Sequence, residues 1–358
     1  MSKPCIWLLS AYRSESHAHW ADGLVRRHRD FDWRRFELPG RHFAWRIRGN
    51  PLSWLDDLPS RGSGETLPDA VLATSMVDLA TIRGLHPRLA AVPTLLYFHE
   101  NQFVYPKSDR QTTSVDAQMV QLYAALAADR VAFNSEYNRR TFLDGVDALM
   151  RRMPDFVPEG LVERIASNSG VLPVPVDAIA PAQQRDAGLI VWNHRWEYDK
   201  NPELFAEAVC RLAEAGIDFR LALLGPRGAR PVRALERLRA ALADRIVVDR
   251  APDRAEYAAV LARAGIVVST ARHEFQGLAV LEAVGAGCRP VVPDALCYPE
   301  QFDPVFRYPA DDLQGLFDRL CAALRGRLPA PPSVTRWTGP EPVRAWAELL
   351  HGLSGDGG

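Results

Sequence analysis

The chain has 358 residues, 47% of them hydrophobic and 24% charged, with a formal net charge of -1. Single cores rarely grow past about 250–300 residues, so two domains are expected. The near-zero charge excludes a protein that holds nucleic acid by overall basicity and leaves only local basic patches for that purpose.

Taken in order, short apolar runs alternate with amphipathic ones, the pattern of βα units and parallel sheets. The first half predicts strands at "CIWLLSAY", "DAVLATS", "PTLLYFH" and "RVAFNS", with helices at "HAHWADGLVRRH" and "VDAQMVQLYAALAAD". The run "FDWRRFELP" also reads as a strand. Residues 176–188, proline- and alanine-rich and without periodicity, predict a linker between a first domain over 1–175 and a second over 189–330. The second domain restarts the pattern with "GLIVWN", "RLALLG", "RIVVD", "GIVVST" and "RPVVPD", separated by three helical segments. A tail over 331–358 carries a last helix, "EPVRAWAELLHGL", expected to pack back on the first domain. The fold class is therefore α/β, two Rossmann-like doubly wound domains facing a central cleft.

Five cysteines (Cys5, Cys210, Cys288, Cys297, Cys321) form no CxxC pair and no metal-ligand spacing, so reduced thiols and no metal site are expected. The amino-terminal segment lacks a cationic leader, and no stretch approaches the roughly 18 apolar residues of a membrane span. A cytoplasmic protein without membrane association is the expectation.

Open α/β sheets bind ligands at the carboxyl ends of their strands, which directs attention to the residues that follow them. After "GIVVST" come Glu274, Gly277 and, five residues further on, Glu282. Free N–H groups at a helix start favour a phosphate, and Glu282 lies about 7.5 Å along the axis, roughly the step from a diphosphate to its ribose. An ionised carboxylate accepts two hydrogen bonds and suits a vicinal diol, which gives Glu282 the ribose and Glu274 the sugar being transferred. After "GLIVWN" come Asn193, His194, Arg195 and Lys200; an Arg/Lys pair offsets the charge that grows on a departing nucleoside diphosphate. Lysine is scarce, only Lys3, Lys107 and Lys200, so one placed after a strand is informative. Solvated carboxylates and a capped surface loop are the plainer alternatives for these two segments.

Residues 26–48 carry eight arginines against three acids, with Phe31, Trp33, Phe43 and Trp45 interleaved. Phosphate neutralisation with base stacking is how single-stranded RNA is held. The aromatics read equally well as core. A second arginine run, residues 227–250, reads either as a further patch or as a solvated helix face.

Together, "STARHEFQGLAVLEAVGAGC", "WNHRWEYDKNP", "YFHENQFVYP", "VAFNSEYN" and "LPGRHFAWRIRG" resemble the tRNA-queuosine alpha-mannosyltransferases, relatives of the retaining family-four glycosyltransferases with a GT-B fold. The resemblance runs from about Leu8 to about Pro304. It implies GDP-mannose as donor, the cyclopentenediol of queuosine in the tRNA anticodon loop as acceptor, retention of configuration and no cofactor or metal. By the same resemblance, His99, Arg195, Lys200 and Glu274 are catalytic, and Asn193, Gly277, Leu278 and Glu282 complete the donor site. Ser16, His17, Arg41, Trp45, Arg46, Arg48 and Asn101 are the acceptor-side candidates. One departure stands out: the family's glycine-rich YYGGSH loop is "AYRSESH" here. A nucleotide-sugar enzyme acting on a glycan, lipid or small molecule is the alternative.

Overall fold

The computed structural model describes residues 3–59, 64, 66–104, 114–228 and 231–355. Two compact units emerge, one of Met1–Val174 with Pro342–Gly358 and the other of Pro175–Glu341. Each is built on a six-stranded parallel sheet.

In the first unit the strands are β1 (Cys5–Arg13), β2 (Asp32–Pro39), β3 (Ala70–Thr74), β4 (Thr94–Phe98), β5 (Arg130–Phe133) and β6 (Ser169–Val171). They run in the order β2-β1-β3-β4-β5-β6. β3 and β4 are buried throughout, which is why they read as unbroken apolar runs rather than alternating ones. β2 is one of the two edge strands, and its alternation is visible: Phe36 packs on Trp7 with ring centroids 5.1 Å apart, while Trp33, Arg35 and Glu37 occupy the other parity. The helix Pro340–Gly355 contains Trp346, which is fully buried against Trp20 and Tyr97 and donates its indole N–H to the Pro173 carbonyl at 2.9 Å.

The second unit contains β7 (Asp186–Trp192), β8 (Arg220–Leu223), β9 (Ile246–Asp249), β10 (Ala264–Val268), β11 (Arg289–Pro293) and β12 (Arg307–Tyr308). Their order, β12-β11-β10-β7-β8-β9, is that of dinucleotide-binding sheets. The direction of winding reverses between β7 and β10, which pair as Ile266 with Ile190 and Val267 with Val191. Connections leaving these two strands diverge to opposite faces, so a crevice forms beyond their carboxyl ends.

Strand β7 is anchored by Trp192, fully buried and stacked on Phe205 of the helix Pro202–Glu214 at 4.4 Å between centroids. Such pairs contribute about 0.5–1.5 kcal/mol beyond area burial. That helix starts where the sequence suggests, with Asn201 in the left-handed region and Pro202 at its first turn. Two boundaries differ from expectation. β7 begins at Asp186, inside the predicted linker, and residues up to Glu341 group with the second unit, so only the last helix joins the first. β6 and β12, of three and two residues, are too short to show periodicity.

Among the described residues no helix is long and apolar enough to cross a membrane. All five cysteines are free, and four are buried.

Candidate functional site

The second unit gathers its marked residues at the β7/β10 reversal. Lys200 is the hub. Its Nζ donates to the His273 carbonyl at 2.6 Å and lies 3.2 Å from Asp199 and 3.3 Å from Glu274, with only 10% of its side chain exposed. Burial alone would depress its pKa, but the two carboxylates outweigh that and raise it above the ordinary value. Burial would likewise raise Glu274, yet Lys200, His194, the Gly277 N–H and His273 bring it down to about 2. Both groups are therefore ionised at neutral pH. The ammonium's three hydrogens are directed at three protein oxygens, so an incoming phosphate meets a lysine already held in place rather than a mobile one.

Arg195 is 43% exposed and pairs with Glu197 at 3.1 Å and Asp199 at 3.5 Å. Asp199 thus fastens both cations, while its backbone carbonyl accepts from the Arg272 and His273 amides. Thr270 clamps the same loop from β10 through bonds to the Lys200 and Asn201 carbonyls at 2.8 and 2.9 Å.

Gly277 has φ +68° and ψ 45° and caps the helix Leu278–Gly285. A Cβ there would lie 3.2 Å from Cε1 of Tyr298, whose hydroxyl donates to Ser269 at 2.7 Å. Both the left-handed backbone and the crowding demand glycine. The free amides of this helix start supply an anion cradle beside Glu274.

Glu282 is 11% exposed, and both its oxygens are engaged: Oε1 by Arg254 at 2.7 Å, Oε2 by the Tyr257 hydroxyl at 2.9 Å. Asn193 donates to Tyr257 at 3.0 Å and to the Ala279 carbonyl at 2.7 Å. These bonds tie β7, the helix Arg254–Arg263 and the helix Leu278–Gly285 into one assembly. A carboxylate offers about four lone-pair sites, so Glu282 retains acceptor capacity for a diol.

In the first unit, His99 follows β4 and packs against His17, Trp20 and Tyr97, with centroids 4.4, 4.5 and 4.7 Å away. Its Nε2 is buried without a hydrogen-bond partner. Burial, with His17 adding to it, holds its pKa well below the usual histidine value. A neutral imidazole with an unspent nitrogen at a strand's carboxyl end is equipped to hydrogen-bond a ligand.

Several acceptor-side candidates are corrected. Asn101 is fully buried, donating to Asn138 and Thr141 and accepting from the Phe103 amide, so it shapes the loop after β4 instead of facing a ligand. His17 is 4% exposed, with Nδ1 2.7 Å from the Tyr12 carbonyl, and it packs His99. Arg46 is half-buried and 3.4 Å from Ser53, whereas Ser16, Arg41, Trp45 and Arg48 are exposed, Arg48 while paired with Asp78 at 2.9 Å. Of the four interleaved aromatics, Phe31 is core, Phe43 packs on Tyr12, Trp33 is half-buried and Trp45 is 51% exposed. In the second arginine run, Arg227 and Arg239 hold Asp249, Arg237 holds Glu207 and Arg250 holds Glu256. That run is largely a set of surface ion pairs, not an open patch. The last two residues of "YFHENQFVYP" and Lys107 lie outside the described residues, as do Ala229 and Arg230.

In the departing loop, the Arg13 side chain is drawn aside by Glu37 at 3.0 Å and Asp22 at 3.1 Å. Ser14 is 3.2 Å from both Ser16 and His17.

Sequence reasoning passed over Asp199, Tyr257 and Arg254. Asp199 stood inside "WNHRWEYDKNP" unremarked. Arg254 and Tyr257, three apart in an alanine-rich helix, share a face, but their target lies in another segment.

Burial holds His17, His194 and His273 at pKa values of about 4, against about 6.5 in the unfolded chain. Below pH 6.5 the unfolded state binds protons that the folded state refuses. Stability is thus complete above about 6.5 and falls toward pH 4, each histidine contributing up to about 3 kcal/mol. Calorimetry should show Tm falling steeply between pH 6.5 and 4.5; a flat profile there would contradict this reading of their burial.

Residues 5–176 match the model of the tRNA-queuosine alpha-mannosyltransferase N-terminal domain, and residues 188–325 match that of glycosyl transferases group 1. A tRNA-queuosine alpha-mannosyltransferase of Drosophila melanogaster is 33% identical over 312 residues, 84% of this chain and 82% of its own. Among solved structures, sucrose-phosphate synthase from Thermosynechococcus elongatus has a TM-score of 0.68 at 13% identity, covering 98% of this chain and 99% of that one. TarM has a TM-score of 0.55 at 14% identity over 86% of this chain, which spans 58% of TarM's length. At such identities the structural likeness establishes the fold, that of GT-B glycosyltransferases. Because the relative's similarity extends across both units, the chain belongs to the tRNA-queuosine alpha-mannosyltransferase family and is a glycosyltransferase.

Proposed function

We propose that the protein transfers mannose from GDP-mannose to the cyclopentenediol of queuosine in the tRNA anticodon loop, with retention of configuration. The similarity to the Drosophila tRNA-queuosine alpha-mannosyltransferase over 84% of the chain carries this reading. The second unit's arrangement supports it chemically. Arg195 and Lys200 would stabilise the charge that develops on the departing diphosphate, the amides at Leu278 and Ala279 would hold its oxygens while the Gly277 N–H stays on Glu274, and Glu274 and Glu282 would accept from the hexose and ribose hydroxyls. Because Glu274, the carboxylate set at the sugar, is tied to Lys200 and to the Phe275 amide, the acceptor hydroxyl is read as attacking from the face the diphosphate leaves. Its proton passes to the departing phosphate oxygen. His99, neutral at working pH, is the hydrogen-bonding residue we assign to the first unit. The reading takes no metal ion or cofactor, since cationic side chains already occupy the diphosphate's place in the scheme. A cytoplasmic setting follows from a tRNA acceptor.

Purified protein is incubated with radiolabelled GDP-mannose and bulk tRNA with or without queuosine, and label in RNA is counted. Queuosine-dependent incorporation is expected. Donor binding without incorporation would overturn the acceptor and direct attention to "AYRSESH".

Glu282→Gln keeps the shape but removes the charge that Arg254 and two ribose hydroxyls would share. GDP-mannose affinity by titration calorimetry is expected to fall about tenfold, in the range of a charge-assisted hydrogen bond. Unchanged affinity and rate would remove Glu282 from the donor site.

A further inference from the structure

On the flank of the first unit, away from the β4 end, lies an open groove of about 470 Å³ lined by Asp22, Val25, Arg26, Arg29, Trp33 and Arg35. The carboxyl-terminal half of the helix Glu15–Arg27 forms one wall and the outward parity of edge strand β2 the other. Three arginines against one aspartate leave it net positive by two. The aspartate is spoken for: Asp22 is held by Arg35 at 2.5 Å and by Arg13 at 3.1 Å. Arg29 has no carboxylate within ion-pair reach among the described residues. Trp33 is fixed, its indole N–H donating to the His28 carbonyl at 2.9 Å and its ring packed edgewise on Phe31. Arg35 is shared between Asp22 and Glu37, so the groove presents the Arg29 guanidinium, with Arg26 on the facing wall, beside an oriented aromatic surface, the pairing that holds a nucleic-acid strand through phosphate and base.

From this groove we infer a second RNA contact: Arg26 and Arg29 take backbone phosphates, and Trp33 stacks one unpaired or terminal base. The inference rests on the reading of RNA as acceptor. The helix sets the spacing. Arg26 is nine residues beyond His17, about 13 Å along the axis, and His17 packs on His99. A strand with its modified nucleotide near His99 would reach the groove with nucleotides that flank it, not with the reacting one. Phosphate contacts carry no sequence information, so the groove positions the RNA without reading it. This also accounts for a net charge of -1 in an RNA-acting enzyme: the positive field is local.

The test is fluorescence anisotropy with a labelled anticodon stem–loop RNA, with and without queuosine, across a salt series. GDP-mannose binding by calorimetry and thermal melting serve as checks on the donor site and the fold. Arg26→Glu with Arg29→Glu is expected to weaken both RNAs at least tenfold. It should also flatten the slope of log affinity against log salt by about 1.4–1.8, the loss of two phosphate contacts. Arg26→Lys with Arg29→Lys should restore most of the slope. Trp33→Leu is expected to cost roughly tenfold with the slope unchanged, since stacking releases no counterions. If charge reversal leaves affinity and slope unaltered, or the wild type binds no RNA, the groove is not an RNA site. RNA binding that depends on these arginines, without queuosine-dependent transfer, would overturn the proposed acceptor and leave the groove standing.

Discussion

Lys200→Ala is expected to lower the single-turnover rate of sugar transfer by about 10²–10³, corresponding to about 3–4 kcal/mol of lost transition-state stabilisation. Among the described residues of the candidate donor site the ammonium is the buried cation, held between Asp199 and Glu274 at 3.2 and 3.3 Å. Its removal also leaves Glu274 without its counter-ion and Asp199 with Arg195 alone at 3.5 Å, and deleting one partner of a buried pair costs several kcal/mol. Two further readouts follow. Tm should fall, and because Lys200 is the strongest influence holding the Glu274 carboxyl down, that carboxyl should titrate at higher pH in the variant than in the wild type. Lys200→Arg should not rescue, since a planar fork cannot address the same three oxygens as a tetrahedral ammonium. A rate within tenfold of wild type would show that Arg195 alone carries the charge.

The second large effect is expected at a residue with no side chain. Gly277→Val places a β-branched residue at φ +68°. Left-handed backbone costs about 1–2 kcal/mol for an ordinary residue and more for a branched one. The new Cβ would meet the Tyr298 ring at 3.2 Å and push on a tyrosine bonded to Ser269. The helix start would re-aim, moving the amides at Leu278 and Ala279 away from an incoming diphosphate. GDP-mannose affinity should drop by roughly 100-fold. Gly277→Ala should fall in between, because it adds the strain without the branch. Since Glu274 also draws on the Gly277 N–H, loss of affinity without global unfolding in a thermal melt is the outcome that supports the cradle. Affinity within threefold of wild type would mean the helix start is not a phosphate site.

Much of the fold was readable because parallel strands are buried on both faces. Runs such as "GLIVWN" and "GIVVST" have no other economical explanation when amphipathic helices separate them. The candidate donor residues were picked out for a related reason: Lys200, Glu274 and Gly277 lie in the segments that follow β7 and β10, and Glu282 lies in the helix that Gly277 caps. The acceptor side was harder. Arginines and aromatics interleaved along residues 26–48 look alike whether they face solvent or core. Only the alternation of β2 and the pairing of Arg13 and Arg35 with Asp22 sort Phe36 inward from Trp33 outward, while Phe31, one residue before the strand, is buried by its tertiary packing. Asn101 looked available because polarity in a loop usually means exposure, yet its amide is consumed internally.

By itself, the sequence determined two α/β domains, the β-strand ends at which chemistry is placed, and the charged and glycine residues standing there, because burial periodicity and local turn chemistry depend on neighbours in the chain. Tertiary structure alone decided that Asp199 fastens both Arg195 and Lys200, that Tyr257 and Arg254 brace Glu282, and that His99 lies neutral among three aromatic rings. It also decided that Arg26, Arg29 and Trp33 share one groove. These are contacts between elements far apart in sequence, where strand order and crossover geometry choose partners and burial sets each group's charge, and neither is written in any local stretch of residues.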